Sequence, residues 1–138
     1  MNNLLTAIRS KATGSTLSAY VGGRIYLDEI PESKPVVYPY VTFFIVSGTP
    51  EKTFTEHYTN TLIQFSLFSA SEGVTEVTTM YSRLKSLYDE CALTITSSKL
   101  IWMKEMSLAT FVDDALVDNA MQRVKHWAVD FEILTSLN

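Results

Sequence analysis

Two runs of β-branched and aromatic residues, far apart in the chain, constrain its fold most. The first covers residues 38–47 and follows a shorter run of the same kind at Arg24, Ile25 and Tyr26. The second covers residues 126–133, close to the other end of the chain. Residues of these types favour the pleated, partly buried surface of a sheet. Strands are therefore expected near both ends of the chain.

The length of 138 residues fits one domain, which we expect to span residues 1–138. A chain of this size buries roughly two-thirds of its unfolded surface and needs no covalent staple. Its one cysteine, Cys91, excludes an intramolecular disulfide, which favours a reducing compartment. No signal peptide or membrane-spanning run is apparent, so we expect the product to remain in the cytosol or to leave by cell lysis.

The first half of the chain alternates between helix and strand patterns. The spacing of apolar residues predicts a short amphipathic helix over residues 3–13, with Gly14 as its C-terminal stop. Residues 17–21 fit either a helical turn or a packed loop. The polar residues 48–57, which include Pro50, are predicted to form a loop between two strands. The predicted strands of this half cover residues 24–27, 38–47 and 58–69.

The second half begins with the strongest helix pattern of the chain, over residues 71–91. Its predicted apolar stripe comprises Val74, Val77, Met80, Leu84, Leu87 and Cys91. Residues 111–120 contain several aspartates and are predicted to form a loop. The predicted strands of this half cover residues 93–96, 100–110 and 121–135.

This order of elements predicts an α+β fold with a single antiparallel-rich mixed sheet. A short N-terminal helix and one long helix would pack on that sheet, because the helices do not fit a regular series of βαβ crossovers. Val41, Phe43 and Ile45 would share one face of their strand, and Ile63, Phe65 and Leu67 one face of the next. The opposite face of the first strand is not polar either, so both faces are expected to be covered.

The residues that most often carry catalysis are few and scattered. His57 is placed at a loop edge and His126 in the last strand, where a structural role is the better interpretation of each. Cys91 closes the apolar stripe of the long helix and follows Asp89 and Glu90, which would oppose a thiolate. We assign no catalytic residue and expect no enzyme, although a small enzyme or ligand-binding module that uses these three residues is the alternative from a different class.

No metal or cofactor site is assigned from the sequence. The two histidines lack the spacing of a zinc site, and the glycine patterns of phosphate-binding loops are absent. Asp113, Asp114 and Asp118 resemble a divalent-cation loop only in composition, because they lack the ligand spacing of such loops and the residues between Asp114 and Asp118 are apolar. A solvated loop is the favoured interpretation of this segment.

The overall charge argues against a nucleic-acid-binding protein. The formal net charge is −4, and the eleven lysines and arginines are dispersed along the chain. Proteins that grip phosphates normally gather basic residues into a patch. Specific nucleic-acid binding is therefore not expected.

Several features occur in a recognisable order along nearly the whole chain. A short helix leads to Arg24-Ile25-Tyr26, and a proline-containing link leads to Tyr38-Pro39-Tyr40-Val41. A strand with Gln64-Phe65-Ser66-Leu67-Phe68 enters the long helix, and the chain closes on Trp127 and Asp130-Phe131-Glu132. This ordered set resembles the tail completion, or tail terminator, proteins of long-tailed bacteriophages.

The resemblance implies a structural virion protein without an active site or cofactor. Such subunits form a homo-oligomeric ring, commonly of six copies, at the head-proximal end of the tail. The ring stops polymerisation of the tail tube protein and offers a docking surface to the filled head or its neck protein, while DNA passes through without specific binding. The implied location is the head–tail junction of the virion, with assembly in the host cytoplasm and no contact with a membrane. A neck or head-closure protein, or a minor tail-tube component, is the alternative within this class.

Two sets of contact residues follow from that resemblance. Acidic residues at a channel wall would repel DNA phosphates, so Asp113, Asp114 and Asp118 are expected to face the channel. Thr53, Phe54 and Thr55, at the tip of a predicted hairpin, are expected to contact a neighbouring subunit or the tube.

Overall fold

The computed structural model describes residues 2–52, 57–117 and 120–137. The three helices are α1 (Asn2–Ala12), α2 (Thr16–Tyr20) and α3 (Thr75–Tyr88). The strands are β1 (Ile25–Leu27), β2 (Tyr40–Lys52), β3 (His57–Ser69), β4 (Thr94–Ile95), β5 (Ser98–Val117) and β6 (Ala120–Leu137).

All of these strands belong to one curled, mixed sheet with the order β1-β2-β3-β6-β5-β4. The short strand β1 pairs in parallel with β2, and every other pairing is antiparallel. The long strands β2, β3, β6 and β5 form the body of the sheet, and β5 contains two irregularities in its pairing with β6. The predicted α+β class with an antiparallel-rich mixed sheet agrees with this arrangement, and α2 resolves the ambiguity at residues 17–21 in favour of a helical turn.

The hydrophobic core lies between the helices and one face of the sheet. Phe65 occupies its centre, with its ring centroid 4.9 Å from that of Tyr88, 5.5 Å from Phe131 and 5.6 Å from Phe43. The buried hydroxyl of Tyr88 donates a hydrogen bond of 2.7 Å to the carbonyl of Ile8, which ties α3 to α1. Burial raises the pKa of the Tyr88 hydroxyl, so this donor keeps its proton.

The sequence-based prediction of loops at residues 48–57 and 111–120 is wrong where the structure describes these segments. Strand β2 continues through Pro50 to Lys52, and β5 continues to Val117. Pro50 is tolerated because, among the residues that the structure describes, no strand pairs with this part of β2 on its outer side, so no ladder hydrogen bond is lost there. The aspartates of β5 are tolerated because this end of the strand is exposed to solvent.

The long helix is shorter than the predicted range of 71–91. Gly73 adopts a positive φ of 74° before the helix, and Glu90 adopts a φ of 54° after it. Val74 therefore precedes the first turn and is 57% exposed instead of joining the buried stripe. The Ser69 hydroxyl, just before the helix, donates to the Glu76 carboxylate in its first turn over 2.7 Å.

Candidate assembly surface

The second face of the sheet carries no helix in the part of the chain that the structure describes. The helices of the described residues therefore cover only one of the two faces that were expected to be covered. On this helix-free face, Thr42, Ser66 and Ala128 are nearly buried, although they lie outside the hydrophobic core. Because they are small and lie side by side in adjacent strands, larger neighbours on the same face can shield them.

Those larger neighbours form a line of rings across the sheet, which we call the aromatic stripe: Tyr26, Tyr40, Phe68, His126 and Phe111. One ring comes from each of β1, β2, β3, β6 and β5 in spatial order. The centroid separations along the line are 6.4, 4.6, 4.4 and 5.6 Å. Aromatic pairs at such distances stabilise a sheet beyond the area that they bury.

His126 is the titratable ring within this stripe. Its imidazole is half-buried, and burial lowers its pKa, while the Asp113 carboxylate opposes part of that shift. The Nδ1 atom lies 3.8 Å from Asp113 Oδ2. Within the described residues, the buried Nε2 atom has no hydrogen-bond partner. The neutral imidazole is thus the form that this stacked position favours.

Polar residues occupy the helix-free face beyond the stripe. The Asn60 side chain donates to Glu132 over 2.9 Å, and the Gln64 side chain donates to Asp130 over 3.0 Å. The Ser107 hydroxyl donates to the second oxygen of Asp130 over 2.9 Å. These bonds orient two carboxylates on the long strands, so this part of the face is acidic.

At each edge of the sheet, a short strand pairs with only part of the long strand beside it. On one side, β1 pairs only with residues 41–43 of β2, so residues 44–52 have no outer partner strand in the described part of the chain. We call residues 44–52 the β2 open edge. Because a free strand edge presents unpaired backbone N–H and C=O groups, it is a template for pairing with another chain.

The other side of the sheet is covered at the start of β5. Strand β4 pairs with Ser98 and Lys99, and the Glu90 N–H donates to the Met103 carbonyl over 2.8 Å. The Asp89 carboxylate accepts a hydrogen bond from the Glu105 N–H over 3.0 Å. From residue 106 to residue 117, β5 has no outer partner strand in the structure, and we call this segment the β5 open edge.

Exposed apolar side chains accompany both open edges. Val46 of the β2 open edge is 48% exposed, and Val112 of the β5 open edge is 63% exposed. Met106, Leu108 and Phe111 of the β5 open edge are also exposed. Long edges with exposed apolar residues normally are covered by a partner or lead to aggregation.

Toward Val117 and Ala120, β5 and β6 continue beyond β3 as a two-stranded ribbon. The pairs from Asp113–Val124 to Val117–Ala120 have no residue of β3 beside them. Of the predicted channel residues, Asp113 lies on the helix-free face and Asp114 on the opposite face, because neighbouring residues of a strand alternate. Both are exposed, and Asp118 lies outside the described residues.

The other predicted site residues are not brought together. Thr53, Phe54 and Thr55 lie outside the described residues. His57 and His126 are roughly 35 Å apart, because Phe68, the partner of His126, lies at the other end of β3 from His57. Cys91 lies beyond the end of α3, with its thiol 3.7 Å from the thioether of Met103, and burial raises the pKa of this thiol.

The described residues were also compared with the requirements of a metal site and of a membrane-spanning helix. Within the ranges that the structure describes, no three His, Cys, Asp or Glu side chains are grouped so that they could hold a metal ion. The helices of these same ranges include none that is long and apolar enough to cross a membrane.

The sequence does not predict the aromatic stripe. Its patterns place Tyr40 and Phe68 in strands but predict a loop at Phe111. The register between strands decides which rings meet, and a period of two along each strand gives only the face. The sequence shows that the strands contain aromatic residues, but it does not determine which of these rings become neighbours across the sheet.

Comparison with known proteins supports the fold. No protein-family model matches the sequence, and no curated protein matches it. A solved chain from the virion of a native gene transfer agent particle has a TM-score of 0.70 to this chain at 15% identity, with 94% of this chain and 92% of that chain covered. A second solved chain has a TM-score of 0.55 at 8% identity, with 96% and 94% covered. This chain therefore has the fold of a chain found in a virion particle.

Proposed function

We propose that this chain is a structural virion protein that forms a ring at the head-proximal end of a phage-type tail. The ring ends polymerisation of the tail tube and provides the surface to which the filled head docks. The likeness in fold to a chain of a gene transfer agent virion, over nearly the full length of both chains, carries this proposal. The ordered strands and helices that resemble tail completion proteins support it independently.

The open edges of the sheet support a role in assembly. A closed ring needs a heterologous interface, in which one patch of a subunit meets a different patch on the next. The β2 open edge and the β5 open edge are two such patches, on opposite sides of one sheet. Each has the unpaired backbone groups and the exposed apolar side chains that a neighbouring subunit would cover.

In this proposal the helix-free face lines the channel. Asp113, Asp130 and Glu132 all lie on that face and would repel the phosphates of passing DNA. Asp114 lies on the other face of β5, while Asp118 remains a proposed channel residue. A ring structure with Asp113, Asp114 and Asp118 all directed away from the channel would remove this part of the proposal.

The hairpin tip between β2 and β3 is proposed as a contact with a neighbouring subunit or with the tube, through Thr53, Phe54 or Thr55. Deletion of residues 51–56 tests this contact. We expect particles with this deletion to show abnormal tail length or failed head joining. Normal tails joined to heads would contradict the proposed contact.

The test of the function is electron microscopy of particles made by cells that lack this chain. Tails longer than those of normal particles, without attached heads, would support the terminator role. Tails of normal length beside unjoined, filled heads would instead indicate a neck or head-closure protein. Absence of tails would indicate a tube component. Normal, complete particles would contradict every structural role in the virion.

A further inference from the structure

The two open edges occupy different levels of the sheet. Phe44, the first residue of the β2 open edge, is level with Ser107 through the pairings of Gln64 and Asp130. From Phe44 the β2 open edge runs toward the end of the sheet where β5 begins. The β5 open edge runs from residue 106 in the opposite direction, toward the ribbon. The two edges therefore overlap only around Phe44 and Ser107.

We propose that the β2 open edge of one copy pairs with the β5 open edge of the next in a staggered register, shifted by about ten residues or roughly 33 Å along the strands. The partner is a second copy of this chain. This inference rests on the ring proposed above and adds the segments and the register by which neighbouring copies meet.

The strand directions permit this pairing. Strands β2, β3, β6 and β5 alternate in direction, so β2 and β5 run antiparallel within one sheet. When a second copy continues the sheet with the same face toward the channel, its β2 lies antiparallel to β5 of the first copy. In an antiparallel ladder, opposite residues alternate between hydrogen-bonded and non-hydrogen-bonded pairs, and no crossover connection is needed.

The covered parts of each edge fix the stagger. Strand β1 covers β2 at residues 41–43. The ribbon of a neighbouring copy can therefore pair with β2 only at residues 44–52. On the other side, β4 and the hydrogen bonds from Asp89 and Glu90 block β5 up to Glu105. Without a shift, each block would lie against the open edge of the neighbouring copy. A shift of about ten residues clears both blocks and places open edge against open edge.

The stagger has a consequence for the shape of the ring. Each copy would rise along the strand direction relative to its neighbour, so the ring closes only if the strands are inclined to its axis. The same contact with a different rotation between copies would give an open helical filament instead. The staggered edges thus require tilted strands around the channel.

Disulfide trapping in assembled particles tests this register. Thr49 of the β2 open edge and Asp113 of the β5 open edge both lie on the helix-free face. A shift of ten residues brings them opposite each other, because Thr49 is level with Leu134 and Asp113 pairs with Val124. The control pairs Thr49 with Trp102, which lies on the same face at the level of Thr49 and would meet it only without a shift. Cys91→Ala is included in both variants to remove the native thiol.

After mild oxidation of purified particles, the Thr49→Cys and Asp113→Cys double variant should give a ladder of linked copies. We expect about tenfold more linked chain than in the Thr49→Cys and Trp102→Cys control, because a disulfide forms only when the Cα atoms lie within about 7 Å. If the double variant does not assemble, co-expression of the two single-cysteine chains should give linked dimers instead.

Particles that contain the chain but give no linked product would overturn the staggered register and leave the ring itself intact. Equal or greater linkage in the Trp102 control would also overturn the register. Normal particles from which the unsubstituted chain is absent would overturn both the ring and its register.

Discussion

The imidazole of His126 stacks on the ring of Phe68 with centroids 4.4 Å apart and planes inclined by 16°. This contact joins the central strands β3 and β6 on the face that carries no helix. Phe111 lies on the other side of the imidazole, and Asp113 lies beside its Nδ1 atom. The pKa of His126 therefore depends on how closely its neighbours in the aromatic stripe pack around it.

The stability of the fold should depend on pH through His126. Burial lowers the pKa of His126 in the folded chain, so the unfolded chain takes up a proton first as the pH falls below about 6.5. As the pH is lowered past that value, the free energy of unfolding should decrease by at most about 1.4 kcal/mol per pH unit. It should become constant at pH values below the pKa of His126 in the folded chain. Denaturant unfolding between pH 7.5 and 5 measures the slope, which His126→Phe should reduce.

Asp113→Asn provides the matched control for this dependence. The Asp113 carboxylate raises the pKa of His126 against the effect of burial. Its removal should lower the pKa of His126 further, as an NMR titration of the imidazole would show. A rise in that pKa would show that Asp113 does not act on His126 in the folded chain.

Phe65 should dominate the stability of the core. Phe65→Ala removes a fully buried ring that contacts Phe43, Tyr88 and Phe131, and should lower the free energy of unfolding by about 3–5 kcal/mol. Phe111→Ala is the control, because Phe111 is half exposed on the β5 open edge. It should cost less than about 1 kcal/mol, and equal losses in the two variants would contradict the location of the core.

The hydroxyl of Thr61 should contribute nothing to the stability of the isolated chain. Thr61 is fully buried on the core face of β3, and its Oγ1 has no hydrogen-bond partner among the described residues. Thr61→Val should leave the free energy of unfolding unchanged or raise it by up to about 1 kcal/mol. Thr135→Val is the matched control, because the Thr135 hydroxyl donates a hydrogen bond to the Thr59 carbonyl. Loss of this hydrogen bond should lower the free energy of unfolding by roughly 0.5–1 kcal/mol.

Assembly should not depend on the thiol of Cys91 or the imidazole of His57. These groups lie at separate places in the fold, and burial disfavours the thiolate of Cys91. A chain with His57→Ala and Cys91→Ala should therefore give tails of normal length that join heads, as counted by electron microscopy. Loss of joining by this folded variant would favour the alternative of a chemical role for one of these residues.

The sequence allowed much of the fold to be predicted, because local patterns determine its main elements. Alternation along residues 58–69 identified the central strand β3 and the face that buries Ile63, Phe65 and Leu67. Apolar residues at helical spacing identified α3 to within a few residues at each end. These patterns depend on burial against one core, which the sequence records directly.

The assembly surface was less predictable, because it depends on relations between strands. Pro50 and the aspartates of β5 favoured loops, yet they occupy strand positions that have no outer partner or are open to solvent. The aromatic stripe depends on the register of five strands, and the open edges depend on where β1 and β4 stop. No local pattern of residues encodes these positions.

The most direct measurement is a cryo-electron microscopy reconstruction of the head–tail junction in purified particles, at a resolution sufficient to fit this fold. The account predicts several copies in a closed ring at the head-proximal end of the tail tube, with the aromatic stripe and Asp130 directed toward the channel. A junction that lacks this chain, or a copy bound there as an isolated subunit with its open edges in solvent, would contradict the account.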